Sequence, residues 1–214
     1  MRKIIIILSL LLLLVGCAAE NSAETEAPTE ITSATVTDFS KYEQFLNPNT
    51  ADRNWAHASM GCIFSSPEEI ALDFLFYLGT DNGGWTDISE TSCQFLIDQG
   101  FLTEMDLQVM PAEELDRIMQ ATFGISLSDA TIPESWCYIS TEDAYCANNN
   151  DAYFPSHFEI SGITAYNNGL IEITYTPESI YDAKTQHFYD HPTMMMTLQK
   201  TASGDLLVVS NTIE

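Results

Sequence analysis

Hydrophobic and polar positions divide the chain into four unlike stretches. The first is Met1 to Cys17, where Arg2 and Lys3 precede an apolar run of 12 residues, Ile4 to Val15, broken only by Ser9. A membrane-spanning helix needs roughly 20 residues, so the run is too short for one. A basic start, a short apolar middle and a small-residue end predict a secretory signal peptide over residues 1–16. From Ala18 to Asp38 the chain is polar, with four Glu, a Pro and no aromatic residue. Such a stretch buries too little apolar area to offset its ordering entropy, so residues 17–38 read as a disordered acidic tether. As a flexible coil it has a reach of roughly 25 Å. Residues 39–214 then have the length of one domain.

The first half of that domain carries helical spacing. Tyr42, Phe45 and Leu46 suggest a short helix stopped by Asn47-Pro48, and Trp55 to Phe64 reads as extended. Ser66-Pro67-Glu68-Glu69 has the form of a capping box with Pro in the first turn. The apolar segment Ile70 to Leu78 follows, with Asp73 its one charge and Gly79 its stop. A helix apolar on all sides is buried, so this one is expected at the centre of the fold. A second helix is predicted from Ser89 to Gln99, ended by Gly100. A third begins at Pro111, shows Leu115, Ile118, Met119 and Phe123 on one stripe, and ends at Gly124.

The second half alternates instead. Trp136 to Ser140 is a short strand candidate. Ile160 to Tyr166 and Leu170 to Thr176 flank Asn167-Asn168-Gly169, a hairpin signal. In the latter strand Ile171, Ile173 and Tyr175 alternate with Glu172 and Thr174, so one face is buried. Thr193 to Lys200 and Leu206 to Ile213 form another hairpin about Ser203-Gly204-Asp205, with Met194, Met196 and Leu198 directed inward. Helices first and an antiparallel meander after predict an α+β domain in which first-half helices pack on a second-half sheet. A curved sheet of the cystatin-like or NTF2-like kind fits this order, an analogy of fold that carries no function.

Charge narrows the partners. The chain has 7 basic and 31 acidic residues, formally −24, and removal of Arg2 and Lys3 with a signal peptide takes this to −26. Five cations are too few to neutralise a phosphate backbone, so nucleic acid is not an expected partner. The same deficit leaves membrane attachment to something other than basic side chains. Leu14-Val15-Gly16-Cys17 supplies it: this segment resembles the lipobox of bacterial lipoproteins. The resemblance implies that the Cys17 thiol accepts a diacylglyceryl group with palmitate-type chains and that cleavage precedes Cys17. The protein is then held on the outer face of the cell membrane. Two acyl chains suffice for stable anchoring. The order of lipobox, acidic tether, Ser-Pro-Glu-Glu, a Pro-initiated helix ending in Phe-Gly, and a final Leu-Leu-Val-Val-Ser-Asn strand is similar to that of uncharacterised lipoproteins of Gram-positive gut bacteria. That likeness brings no catalytic residues with it.

Beyond Cys17, chemistry-bearing residues are scattered. Cys62, Cys93, Cys137 and Cys146 form an even set, which in an exported domain allows two disulfides; Cys137–Cys146 and Cys62–Cys93 are the preferred pairs, and four buried thiols the alternative. His187 and His191 have the spacing of two ligands on a helix face, but Pro192 and the surrounding strand pattern oppose a helix, and the intervening Glu of a metalloprotease is missing. Asp143, Asn149 and Asp151, near Glu142, are hard oxygen donors suited to Ca²⁺ without the spacing of an EF-hand. No Gly-x-Ser-x-Gly is present. A hydrolase would draw on His157, His187 and Asp190. Tyr138, Tyr145, Tyr153, Tyr166, Tyr175, Tyr181 and Tyr189, with Trp136, suit either cross-strand packing or a face that takes a peptide, a glycan or a protein. The expected function is therefore a lipid-anchored extracytoplasmic binding domain without catalytic machinery or cofactor, with an exported hydrolase as the alternative.

Overall fold

A computed structural model describes residues 31–42, 54–78, 83–100, 107–148 and 158–214. The segment read as signal peptide and lipobox, Phe45 to Pro48, Gly79, Asn149, Asp151, Tyr153 and His157 lie outside these residues. The domain is α+β. Its main sheet is antiparallel throughout, in the order β1 (Ser33–Thr35), β6 (Phe158–Tyr166), β7 (Leu170–Pro177), β10 (Met194–Lys200), β11 (Leu206–Ile213). The expected hairpins are present: β6 and β7 turn through Gly169 at φ +88°, and β10 and β11 through Gly204 at φ +99°. Ile163, Ile171, Ile173, Tyr175, Met194, Met196 and Leu198 line its buried face. In β11 a bulge between the Thr197 and Leu198 pairings shifts the register, so that Val208 and Asn211, an odd number of residues apart, both turn inward.

Two helices lie directly on β11. The first, α1, is Trp55–Ser59, and all five of its residues are buried. This corrects the extended reading of Trp55 to Phe64. The Asn54 side chain accepts the His57 N–H at 2.8 Å and caps the helix, while Ala56 and Ala58 allow close approach. The second is α4, Ala112–Phe123, which buries Leu115, Ile118, Met119 and Phe123 and ends at Gly124 in the left-handed region. Acidic Glu113 and Glu114 sit in its first turn, where the helix dipole favours them.

The helix expected at the centre is displaced. Pro67–Glu69 forms one 3-10 turn, and Ile70 at ψ 134° is extended, so helix α2 begins only at Leu72 and runs to Leu78. Ser66 makes no side-chain cap bond; the neighbouring Ser65 hydroxyl binds Glu69 instead. α2 packs against α1, burying Leu72, Leu75 and Phe76 and leaving Asp73 exposed and Phe74 and Tyr77 half-buried.

A second antiparallel sheet orders β2 (Thr86–Asp87), β3 (Leu107–Pro111), β5 (Ala144–Asn148) and β4 (Cys137–Ile139). One face carries Met110, Ala147 and Tyr145 to the main core. The other packs Val109, Ile139, Ala144 and Cys146 with Leu96 of helix α3, Glu90–Asp98, to form a smaller core. Ser89 caps α3 by accepting the Ser92 N–H, as its sequence predicts. Strand β1 falls within the stretch read as tether. Its edge pairing with β6 is secured by Asn167, whose side chain accepts the Thr32 N–H at 3.2 Å and whose N–H binds Thr32 O at 3.1 Å. Among the described residues no helix is long and apolar enough to cross a membrane.

Candidate functional site

Between β7 and β10 the chain leaves the main sheet as a separate hairpin, β8 (Ser179–Asp182) and β9 (His187–Asp190). Buried Ile180 roots it in the main core. Its turn is organised by Asp182, which accepts the Lys184 N–H at 2.9 Å and the Thr185 hydroxyl at 2.7 Å, an Asx arrangement. Burial would raise the Asp182 pKa, but the Thr185 hydroxyl, the Lys184 and Thr185 N–H groups and the Lys184 charge outweigh it, so the carboxyl titrates below its ordinary range.

This hairpin and α2 share one aromatic cluster, half-buried at Phe74, Tyr77 and Tyr181 and exposed at Phe188. Tyr181 and Phe188 are register partners, with ring centroids 4.8 Å apart. Phe74 lies 5.5 Å from Tyr181, and Tyr77 stacks on Phe74 at 6.2 Å. Phe188 is 65% exposed, the member of this cluster that reaches solvent most fully. The same two elements border an open groove of about 580 Å³, whose walls include Glu68, Glu69, Asp73, Glu134, Ile70 and Lys184. The Lys184 ammonium meets Glu69 at 2.9 Å. The Ser65 hydroxyl first, and Lys184 next, hold the Glu69 carboxyl below its ordinary range. Glu68 is likewise lowered, by its own backbone N–H and by Ser66. The groove thus presents four carboxylates, of which that of Glu69 is answered by Lys184.

Glu134 and Ser135 lead directly into a second aromatic assembly. All three tryptophans of the chain gather there: Trp55 stands 4.4 Å from Phe76, and Phe76 stands 5.7 Å from Trp85 and 5.4 Å from Trp136. Tyr145 and then Tyr138, 5.2 Å apart, continue it to the surface, where Tyr138 is 46% exposed and donates its hydroxyl to Asp143 at 2.7 Å. The tyrosines thus separate by role. Tyr175 is wholly buried, Tyr166 donates to Glu172 at 2.6 Å, and Tyr138 and Tyr181 reach solvent-facing positions.

The other residues singled out from sequence are dispersed. His187 and Asp190 are three residues apart on one strand, so their side chains leave opposite faces of it. His191 follows at φ +47°, outside any helix, so no helix face joins it to His187. Asp143 is engaged by Tyr138, while Glu142 accepts hydrogen bonds from Ser89, at 2.9 Å, and from Ser92. Among the described residues no three His, Cys, Asp or Glu side chains are grouped to hold a metal ion. Cys62 is buried in the main core, and burial, with Asp73 nearby, keeps its thiol protonated. Cys93 lies instead on α3, close enough to Cys146 for its charge to act there.

Sequence reasoning passed over Phe74, Tyr77, Phe188 and Lys184. The available signal was the composition of His187-Phe188-Tyr189, aromatic on consecutive positions and so on both faces of a strand. No family model matches the chain, and no curated protein or solved structure matches it.

Proposed function

We propose that this chain is a lipid-anchored extracytoplasmic binding domain, non-catalytic, which holds a cationic peptide segment of a partner protein on the face shared by α2 and the β8–β9 hairpin. The observation that carries this reading is the exposure of Phe188 in ring contact with Tyr181, itself against Phe74 of α2, the helix whose Leu72 and Asp73 line the acidic groove. An aromatic face attracts a Lys or Arg head through its ring quadrupole. The neighbouring carboxylates of Glu68 and Asp73 match the same charge, and a formal −24 over the chain steers cations toward it. The lipobox sequence Leu14-Val15-Gly16-Cys17 supports the anchor.

Calorimetric titration with a Lys/Arg–Leu peptide tests the binding reading. Phe188→Ala is expected to weaken binding about tenfold, equivalent to about 1.4 kcal/mol, and added salt to weaken it further. Equal affinity for Phe188→Ala, or for an uncharged peptide of the same length, overturns it. The anchor has a separate test: Cys17→Ala should lose lipid labelling and either enter the soluble fraction or stay uncleaved. A variant that remains processed and membrane-bound defeats that part.

A further inference from the structure

The β4–β5 hairpin holds two thiols that the binding face does not use. Cys137 and Cys146 are direct register partners on these antiparallel strands. Residues so placed have Cα atoms about 4.5–5.5 Å apart and project from the same face, within the roughly 4.4–6.8 Å that a disulfide spans. Both turn toward α3, in the smaller core with Leu96, Val109 and Ile139. Cys146 is buried and Cys137 half-buried. Cys62 is remote from this pair in kind, enclosed by the main core. The four thiols among the described residues, Cys62, Cys93, Cys137 and Cys146, are free in this structure.

We propose that Cys137 and Cys146 form a redox site that closes as a cross-strand disulfide, the oxidant being the disulfide of a thiol-exchange partner. The Cys137 thiolate, the more accessible of the two, attacks one sulfur of the oxidant and expels the other as a thiolate. The Cys146 thiolate then attacks the Cys137 sulfur and expels the second. Two cysteine thiols lose two protons and two electrons in all, and one disulfide of the oxidant becomes two thiols. The link would staple β4, a three-residue edge strand, and with it Tyr138 and the neighbouring Trp136. Burial first, then the charges of Cys137 and Cys93, push the Cys146 thiol up to about 11, and burial raises Cys137 as well. Closure is therefore slow at neutral pH without a good exchange partner and quickens as the pH rises.

The full chain equilibrated with oxidised and reduced glutathione, then denatured, alkylated and mapped by mass spectrometry, decides the matter. The expected product links the Cys137 and Cys146 peptides and leaves Cys62 and Cys93 alkylated; Cys93→Ser retains the same link. Alkylation of both Cys137 and Cys146 after equilibration with oxidised glutathione alone, a dominant Cys93–Cys146 link, or loss of the link in Cys93→Ser overturns the proposal.

Discussion

The hydroxyl of Tyr175 stands 3.0 Å from the side-chain oxygen of Asn211, with both residues sealed in the main core. The two polar ends serve the segment that leaves α1. Tyr175 Oη lies 2.8 Å from Met60 O, and the Asn211 amide donates to Cys62 O at 2.7 Å and reaches Met60 O at 3.2 Å. Asn211 also exchanges both backbone hydrogen bonds with Phe64, each 2.9 Å. The sheet thereby satisfies carbonyls that would otherwise be buried without partners.

Asn211→Ala should consequently cost about 2–4 kcal/mol, because it strands the Cys62 carbonyl as well as removing its own bonds. Tyr175→Phe should cost less, about 1–2 kcal/mol, since the Asn211 amide still reaches Met60 O while the buried Asn211 Oδ1 loses the Tyr175 hydroxyl. Urea unfolding followed by tryptophan fluorescence measures both. Equal losses in the two variants would mean that Asn211 is not the hub.

Gly124 ends α4 at φ +72°, and a Cβ placed there would stand 2.8 Å from Leu207 Cδ1. Gly100, after α3, has φ +85° with open space around it. The left-handed backbone alone disfavours a side chain by about 1–2 kcal/mol. Both Gly→Ala variants should therefore lose about that much in denaturant midpoints converted to free energy, with Gly124→Ala losing more because Leu207 must also move. A neutral Gly124→Ala refutes this account of the cap.

Once formed, the Cys137–Cys146 link closes a short loop, for which chain entropy predicts roughly 2–3 kcal/mol of stabilisation. Reductant should lower the unfolding midpoint of the oxidised protein and leave Cys137→Ser unchanged. The same drop in both proteins would locate the effect elsewhere.

The Asp182 carboxyl has a folded pKa below the usual aspartate value of 3.8. A depressed carboxylate stabilises the fold above its unfolded pKa and loses that contribution as the pH falls through the folded value. The β8–β9 turn should accordingly hold until the pH is below 3.8 and loosen beneath it. NMR signals of Lys184 and Thr185 report this directly, and Asp182→Asn should flatten their low-pH transition. A midpoint at or above 3.8 contradicts the assigned hydrogen bonds.

Much of the architecture was legible because it is local. Ser89 and Gly100 bound α3, Gly124 ends α4, and Asn167-Asn168-Gly169 turns β6 into β7, each through backbone chemistry confined to a few neighbouring residues. The helical half and the strand half were separable on period alone, which is why the α+β class could be read. Trp55 to Phe64 was misjudged because its helix has one turn and a small, alanine-rich face; its burial depends on β11 and α4, which arrive much later in the chain. Ser33–Thr35 has only the β-branched Thr35 to declare it, and pairing with Thr164 to Tyr166 makes it a strand.

The acidic charge, the four domain cysteines and the segment ending in Cys17 belong to the sequence by itself, since composition and a contiguous motif need no folding. Which cysteines are neighbours was settled by strand register, which puts Cys146 opposite Cys137 while Cys62 enters another core. The aromatic face is likewise tertiary. Phe74 and Phe188 are more than a hundred positions apart, and only the departure of β8 and β9 from the main sheet brings Tyr181 to link them. Side-chain period tells which residues share a face of one element; it carries no information on which two elements meet.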